Sequence, residues 1–285
     1  GRIKPKASEK ISILLIKFGI PISVMGLLLK AGINIDLIKS SLIAFLSISF
    51  IFLLINNLLI IRKRLPNYSL QLGGLIGNTS FLGIPIAIAL LPTNTVNFTI
   101  GFDLGTTLFA WIFGPLLLQK EKHLSSKFNI KNFSNSLFNS PASRGIIGAL
   151  FAYFLSLENY LGEILWIPAR IVIVLAIIVV GTRLGTITKN KTNIFTFNHD
   201  IRNSILLKLF IFPLVIFVIT FVFHLEKLEI LALVLQAGTP SAISTILMAE
   251  AYKTNQNIAA KILFLTTICS IITIPLITLL LQTYN

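Results

Sequence analysis

The sequence predicts an all-α polytopic membrane protein. One reason is composition: of 285 residues, 55% are hydrophobic and 12% charged, and the mean hydropathy is +0.88. A soluble domain carries about 25% charged residues. A second is the spacing of apolar runs. They fall at about 11–29, 40–61, 70–91, 96–118, 142–157, 163–183, 203–224, 228–250 and 257–281, near the roughly 20 residues that cross a bilayer. A third is charge. Sixteen basic residues, among them Arg62, Lys63, Arg64, Lys120, Lys189 and Arg202, fall in loops on one side, and only Lys30, Lys39 and Lys227 on the other. That bias makes the basic side cytoplasmic and accounts for the net charge of +14 without nucleic acid.

In chain order, Gly1 to Lys10 is polar and basic and is not a signal peptide. The run 11–29 carries Lys17 and Pro21, and 40–61 ends in Asn56, Asn57 and the Arg62 cluster. The run 70–91 holds GNTSFLGIP, Gly77 to Pro85, and 96–118 holds Asp103, the one carboxylate well inside an apolar run. A loop rich in Lys, Ser and Asn follows at 119–141. Next come the short run 142–157, the run 163–183 with Pro168 and Arg170, and 203–224 with Lys208 and Pro213. The run 228–250 ends in QAGTPSAISTILMAE, Gln236 to Glu250, and 257–281 holds Cys269 and Pro275. A lone apolar cysteine makes no internal disulfide or cysteine metal cluster.

The two polar, glycine- and proline-bearing stretches are foreign to a simple membrane helix. Backbone freed by such a break is tolerated at membrane depth only where protein or a watery cavity satisfies it. Paired interrupted segments point to a transporter site. The prolines also outline a repeat: Pro21, Pro85 and Pro115 in the first half match Pro168, Pro240 and Pro275 in the second. This divides the chain into a first repeat (1–118), a cytoplasmic loop (119–141) and a second repeat (142–285). The second half has a segment, 142–157, ahead of Pro168 that the first half lacks ahead of Pro21. We therefore expect one helix missing at the front of a ten-helix design. Two five-helix halves have opposite orientation, an inverted repeat.

These stretches carry a resemblance. GNTSFLGIP at Gly77–Pro85 and AGTPSAISTILMAEAY at Ala237–Tyr252 resemble elements of the auxin efflux carrier family, which includes bacterial malate-permease-like proteins. KFGIPISVMGLLL around Pro21 is similar to its second helix. The resemblance implies the fold of bile acid:sodium symporters, with two broken helices crossing at the midplane, here marked by Pro85 and Pro240. It implies transport of small organic anions such as auxins and dicarboxylates, and a homodimer.

The expected cargo site is Asn78, Thr79, Ser80, Gly83 and Pro85 with Gly238, Thr239, Pro240 and Ser241. Amides, hydroxyls and half-helix N-termini suit an anion; the same groups can equally satisfy broken backbone. Asp103, Lys17 and Arg170 are candidates for ion coupling, to H⁺ or Na⁺, or for substrate charge. Glu250 is a lesser candidate at a cytoplasmic helix end. Lys208 and Lys261 are read as snorkelling to the interface. No cofactor and no metal site is expected, since His123, His199 and His224 stand alone. Without a Walker motif, the drive is an ion or substrate gradient. A cation antiporter of the same fold is the alternative, disfavoured because the crossover itself carries no acid. An intramembrane enzyme lacks its paired aspartates, zinc motif or buried histidine. The expected location is a bacterial inner membrane.

Overall fold

The structure, a computed structural model, describes residues 14–121, 138, 141–169, 171–172, 175, 185 and 198–283. Arg170, most of the loop 119–141 and the later part of the run 163–183 lie outside the described residues.

The elements are α1 (Ile20–Ala31), α2 (Ile35–Asn57), α3 (Leu59–Arg64), α4 (Tyr68–Leu75), α5 (Ile84–Leu90), α6 (Val96–Glu121), α7 (Pro141–Phe154) and a helix α8 over 158–169. Then come α9 (His199–Leu206), α10 (Phe212–Val222), α11 (Lys227–Ala237), α12 (Ile243–Ala251) and α13 (Gln256–Thr283). No strand occurs among the described residues. Among the described residues, four stretches are long and apolar enough to span a bilayer: Ile35–Asn57, Thr93–Leu118, His199–Val222 and Gln256–Thr283. The molecule is an all-α, multi-pass integral membrane protein.

The helices are built inside out. On α2, Ser40, Ser41, Ala44 and Ser47 are buried, whereas Ile38, Leu42, Leu46 and Phe50 are exposed. Small residues inside let membrane helices approach closely, and large apolar ones meet lipid. The partner of α2 is α6, which supplies Gly101 and Gly105. A Cβ added there would lie 2.3 Å from the Leu37 carbonyl oxygen and 2.2 Å from that of Ser41.

Two bundles result. The larger joins α2, α4, α6 and α9–α13 around Ile48, Phe102, Phe109, Phe212 and Ile262. The smaller joins α1, α7 and α8 around Val24, Leu28, Ile146 and Ala169. Gly145 and Gly26 permit its close contacts, with added Cβ atoms 2.7 Å from the Pro21 carbonyl oxygen and 2.8 Å from Leu165 Cβ. Leu37 and Ile100 of the larger bundle, together with Ile84 of α5, pack into the smaller one's apolar cluster.

Prolines act here in two different ways. Pro21, Pro85 and Pro213 each occupy the second residue of a helix that follows a five-residue π turn: Leu15–Gly19, Thr79–Gly83 and Leu207–Ile211. Proline lacks an N–H and its ring presses on the carbonyl four residues back. The helix answers by widening, so Gly83 N–H donates to the Asn78 carbonyl and Ile84 N–H to that of Thr79. Pro85 therefore does not mark a break, contrary to expectation; the chain breaks at Ile76–Asn78. Pro240, by contrast, sits in the second break. Pro275 lies inside α13, which runs on through it.

Candidate functional site

The breaks at Ile76–Asn78 and Gly238–Ala242 meet. Asn78 N–H donates to the Pro240 carbonyl at 2.7 Å and Ala242 N–H to the Ile76 carbonyl at 2.9 Å. Gly77 and Ser241 thus face each other in an isolated antiparallel bridge. Each break supplies part of what the other's backbone lacks, as buried peptide groups require. Gly77 allows the approach, because a Cβ there would lie 2.6 Å from Thr239 Oγ1.

On the first arm, the side chains after the break turn toward α6. Thr79 Oγ1 and Ser80 Oγ donate to Asp103 Oδ1 at 2.5 and 2.6 Å. Asp103 is wholly buried, and its Oδ2 has no partner among the described atoms. Asn78 is buried, with Nδ2 likewise unpartnered. Gly83 faces Gln236 of α11: a Cβ at Gly83 would lie 2.0 Å from Gln236 Oε1. Pro85 is buried in the first turn of α5.

On the second arm, hydroxyls are spent on backbone. Thr239 Oγ1 donates to the Gln236 carbonyl at 2.7 Å, and Thr245 Oγ1 to that of Ala242 at 2.7 Å. Gly238 caps α11, its N–H donating to the Val234 carbonyl at 2.9 Å. Ser241 N–H donates to Thr266 Oγ1 of α13 at 3.0 Å, while Ser241 Oγ has no partner among the described atoms.

Two residues of the crossover escaped the sequence reading. Lys208 was expected to snorkel. It is instead wholly buried, its Nζ donating to the Ala237 carbonyl at 2.6 Å and lying 4.8 Å from the centre of the Phe212 ring. An ammonium at a helix C-terminus meets the negative end of the helix dipole, which gives this one a reason to stay inside. A signal existed: Ser204, Lys208 and Phe212 recur every four residues, hence on one face, and all three are buried. Gln236 is wholly buried with both amide atoms unpartnered among the described atoms. It opens the second polar stretch, where nothing in the sequence singles out its amide.

Lys17 is not brought to the crossover. It lies exposed in the turn before α1, over the ring of Phe18 at 5.3 Å. Among the described residues, no group of three His, Cys, Asp or Glu side chains could hold a metal ion.

A family described as "Membrane transport protein" matches residues 146–278, slightly under half of the chain. An uncharacterized transporter of Methanothermobacter thermautotrophicus is 24% identical over 212 residues, 73% of this chain and 66% of that protein. An uncharacterized transporter of Methanocaldococcus jannaschii is 24% identical over 211 residues, 72% of this chain and 67% of that one. The chain thus spans about two-thirds of the length of these relatives. It is similar, in its second half, to a family of membrane transport proteins, and over most of its length to two transporters of unassigned cargo.

Proposed function

We propose that the protein is a secondary transporter that carries a small organic anion, an auxin-like monocarboxylate or a dicarboxylate such as malate, by alternating access. The observation that carries the proposal is the crossover: two interrupted helices held back to back by the Gly77–Ser241 bridge, with the Lys208 ammonium buried against them. Broken backbone at this depth suits a site that opens to water in turn on each side. A buried cation beside polar amides suits a carboxylate, for which an ammonium and amide donors are the natural partners. The two bundles supply the parts that move against each other, and the opposed arms fit two inverted repeats.

Uptake of labelled mono- and dicarboxylates into proteoliposomes tests this. We expect saturable uptake of at least one carboxylate, lost in Lys208→Met. Folded protein that takes up no member of a broad carboxylate panel would overturn the proposal.

A further inference from the structure

We propose that the trough between α10, α11 and α13 is a binding site for one phospholipid of net negative headgroup, taken from the leaflet opposite the basic loops. Such a site is independent of what the protein carries.

The trough has an apolar floor and a basic mouth. The floor is a groove of about 270 Å³ lined by Leu209, Pro213, Phe217, Val234, Ile277 and Leu280. The mouth is a cavity of about 280 Å³ whose walls include Phe221, His224, Lys227 and Leu281. Leu281 belongs to both. Phe217 of the groove stacks on Phe221 of the mouth, ring centres 6.4 Å apart. The mouth lies where α10 ends and α11 begins. The apolar span His199–Val222 therefore puts it at the membrane surface and the groove at the depth of the acyl chains.

Charge at the mouth selects the headgroup. Lys227 Nζ donates to the Gln282 carbonyl at 3.3 Å, with N–H groups to spare. The acids nearest in sequence do not cancel it: Glu229 is paired with Lys39 at 2.9 Å, and Glu226 does not line the cavity. A headgroup phosphate finds donors there, while the ammonium of a choline or ethanolamine headgroup finds no carboxylate. Backbone geometry fixes His224 at the same level. It ends α10 at a φ of 50°. Its N–H donates to the Phe221 carbonyl and the Leu225 N–H to that of Thr220, both at 3.0 Å. Glycine fills such a helix-ending position without steric cost; a histidine instead keeps an imidazole at the mouth.

Apolarity alone does not make a site, because every lipid-facing groove meets the same tails. The headgroup supplies the selectivity, and the groove gives the chain something to brace. A chain in it packs on Leu209, next to Lys208 in the π turn Leu207–Ile211. It also packs on Ile277, whose tip lies 3.0 Å from where a Cβ of Gly238 would stand. An unfilled groove forfeits these dispersion contacts. The bound lipid thus supports the second arm of the crossover from the bilayer side.

The test places the protein in phosphatidylcholine vesicles doped with dibrominated phosphatidylglycerol, whose bromines quench tryptophan on contact. Leu214→Trp sets a reporter on the rim of the groove, and Leu46→Trp sets one on the lipid face of α2; the two positions are 60% and 61% exposed. Fluorescence is read as the difference from the parent chain, which has two tryptophans of its own. We expect half-quenching of Leu214→Trp at a roughly fivefold lower bromolipid fraction than of Leu46→Trp, the preference that one basic side chain near a charged surface supplies. Brominated phosphatidylcholine should show no such gap, and Lys227→Gln combined with His224→Gln should close it. Leu280→Trp, on the α13 rim, carries the measurement where Leu214→Trp does not fold. Equal quenching of the two reporters overturns the site. So does a gap that phosphatidylcholine shares, or one that survives the loss of Lys227 and His224. Protection of the groove reporter from both lipids, with a dimer captured by cross-linking, also overturns it and makes a second copy of the chain the occupant.

Discussion

The two arms of the crossover look alike in sequence and are used differently. Each has glycine, hydroxyls and proline near its break. On the first arm, Thr79 and Ser80 donate across to Asp103, and the Gly77 carbonyl is only a distant second acceptor for Thr79 at 3.5 Å. On the second, Thr239 and Thr245 turn back onto the carbonyls of Gln236 and Ala242, three residues before each. Thr266 and Lys208, from neighbouring helices, hold its remaining ends. The first arm spends its side chains on a buried charge, the second on itself. Hydroxyls near a break do not in themselves make a site; what decides is whether a partner lies beyond the backbone.

The largest effect should come from Lys208, which ties the second arm to a charge. Lys208→Met keeps the length of the side chain and removes the ammonium. The Ala237 carbonyl then loses its donor, costing stability about 1–3 kcal/mol. Losing a buried, hydrogen-bonded charge opposite a carboxylate typically costs about 2–5 kcal/mol of binding, or at least tenfold in affinity. Carboxylate uptake kinetics beside thermal unfolding would show both. Uptake unchanged in a folded Lys208→Met protein would make Lys208 a purely structural cap, and the second arm would have no part in binding.

The next effect compares glycines. Gly83→Ala places a methyl group on the Gln236 amide, whereas Gly238→Ala meets the tip of Ile277 at 3.0 Å and the Val234 carbonyl oxygen at an ordinary 3.4 Å. Crowding a packed site costs about 1–3 kcal/mol. Most of the cost at Gly83 is relieved by moving Gln236, with Thr239 Cγ2 at 2.9 Å giving way as well, so Gly83→Ala should fold and lose transport, while Gly238→Ala should retain most of it. A double mutant with Gln236→Ala should recover the stability lost in Gly83→Ala. Equal transport in the two alanine variants would erase the difference between the arms.

The all-α membrane fold was legible in composition and in the spacing of apolar runs, because a bilayer imposes both. Asp103 stood out for a related reason: a lone carboxylate in an apolar run needs a partner, and Thr79 and Ser80 provide it. The place of the first break was not legible. Pro85 is its most conspicuous residue, but proline can be absorbed by a π turn as well as by a break, and the choice depends on what Pro240 and Ala242 offer across the gap. Lys208 was misread for a different reason. Its position near a basic helix end suits snorkelling, and only the tertiary meeting of α11 with the π turn Leu207–Ile211 supplies a carbonyl to hold it inside. Gln236 depends likewise on Gly83, a neighbour more than 150 residues away in the chain.

The smallest effect tests the hydroxyls themselves. Thr79→Val and Thr239→Val remove the same atom with little change in shape. The Thr79 hydroxyl donates to a buried carboxylate, a bond worth about 1.5–3 kcal/mol; the Thr239 hydroxyl donates to a neutral carbonyl, worth about 0.5–1.5 kcal/mol. Ser80 still donates to Asp103 Oδ1 in Thr79→Val, so the loss there should fall at the lower end of its range. Denaturation of the two variants side by side should rank Thr79→Val below Thr239→Val, by several degrees or less. Coupling gives the sharper readout. Thr79→Val should lose its excess cost in an Asp103→Asn background, whereas Thr239→Val should cost the same in both, since its hydroxyl never meets the carboxylate. A Thr239→Val cost that also depends on Asp103 would mean that the second arm serves the buried charge too, and the contrast between the arms would then be one of degree.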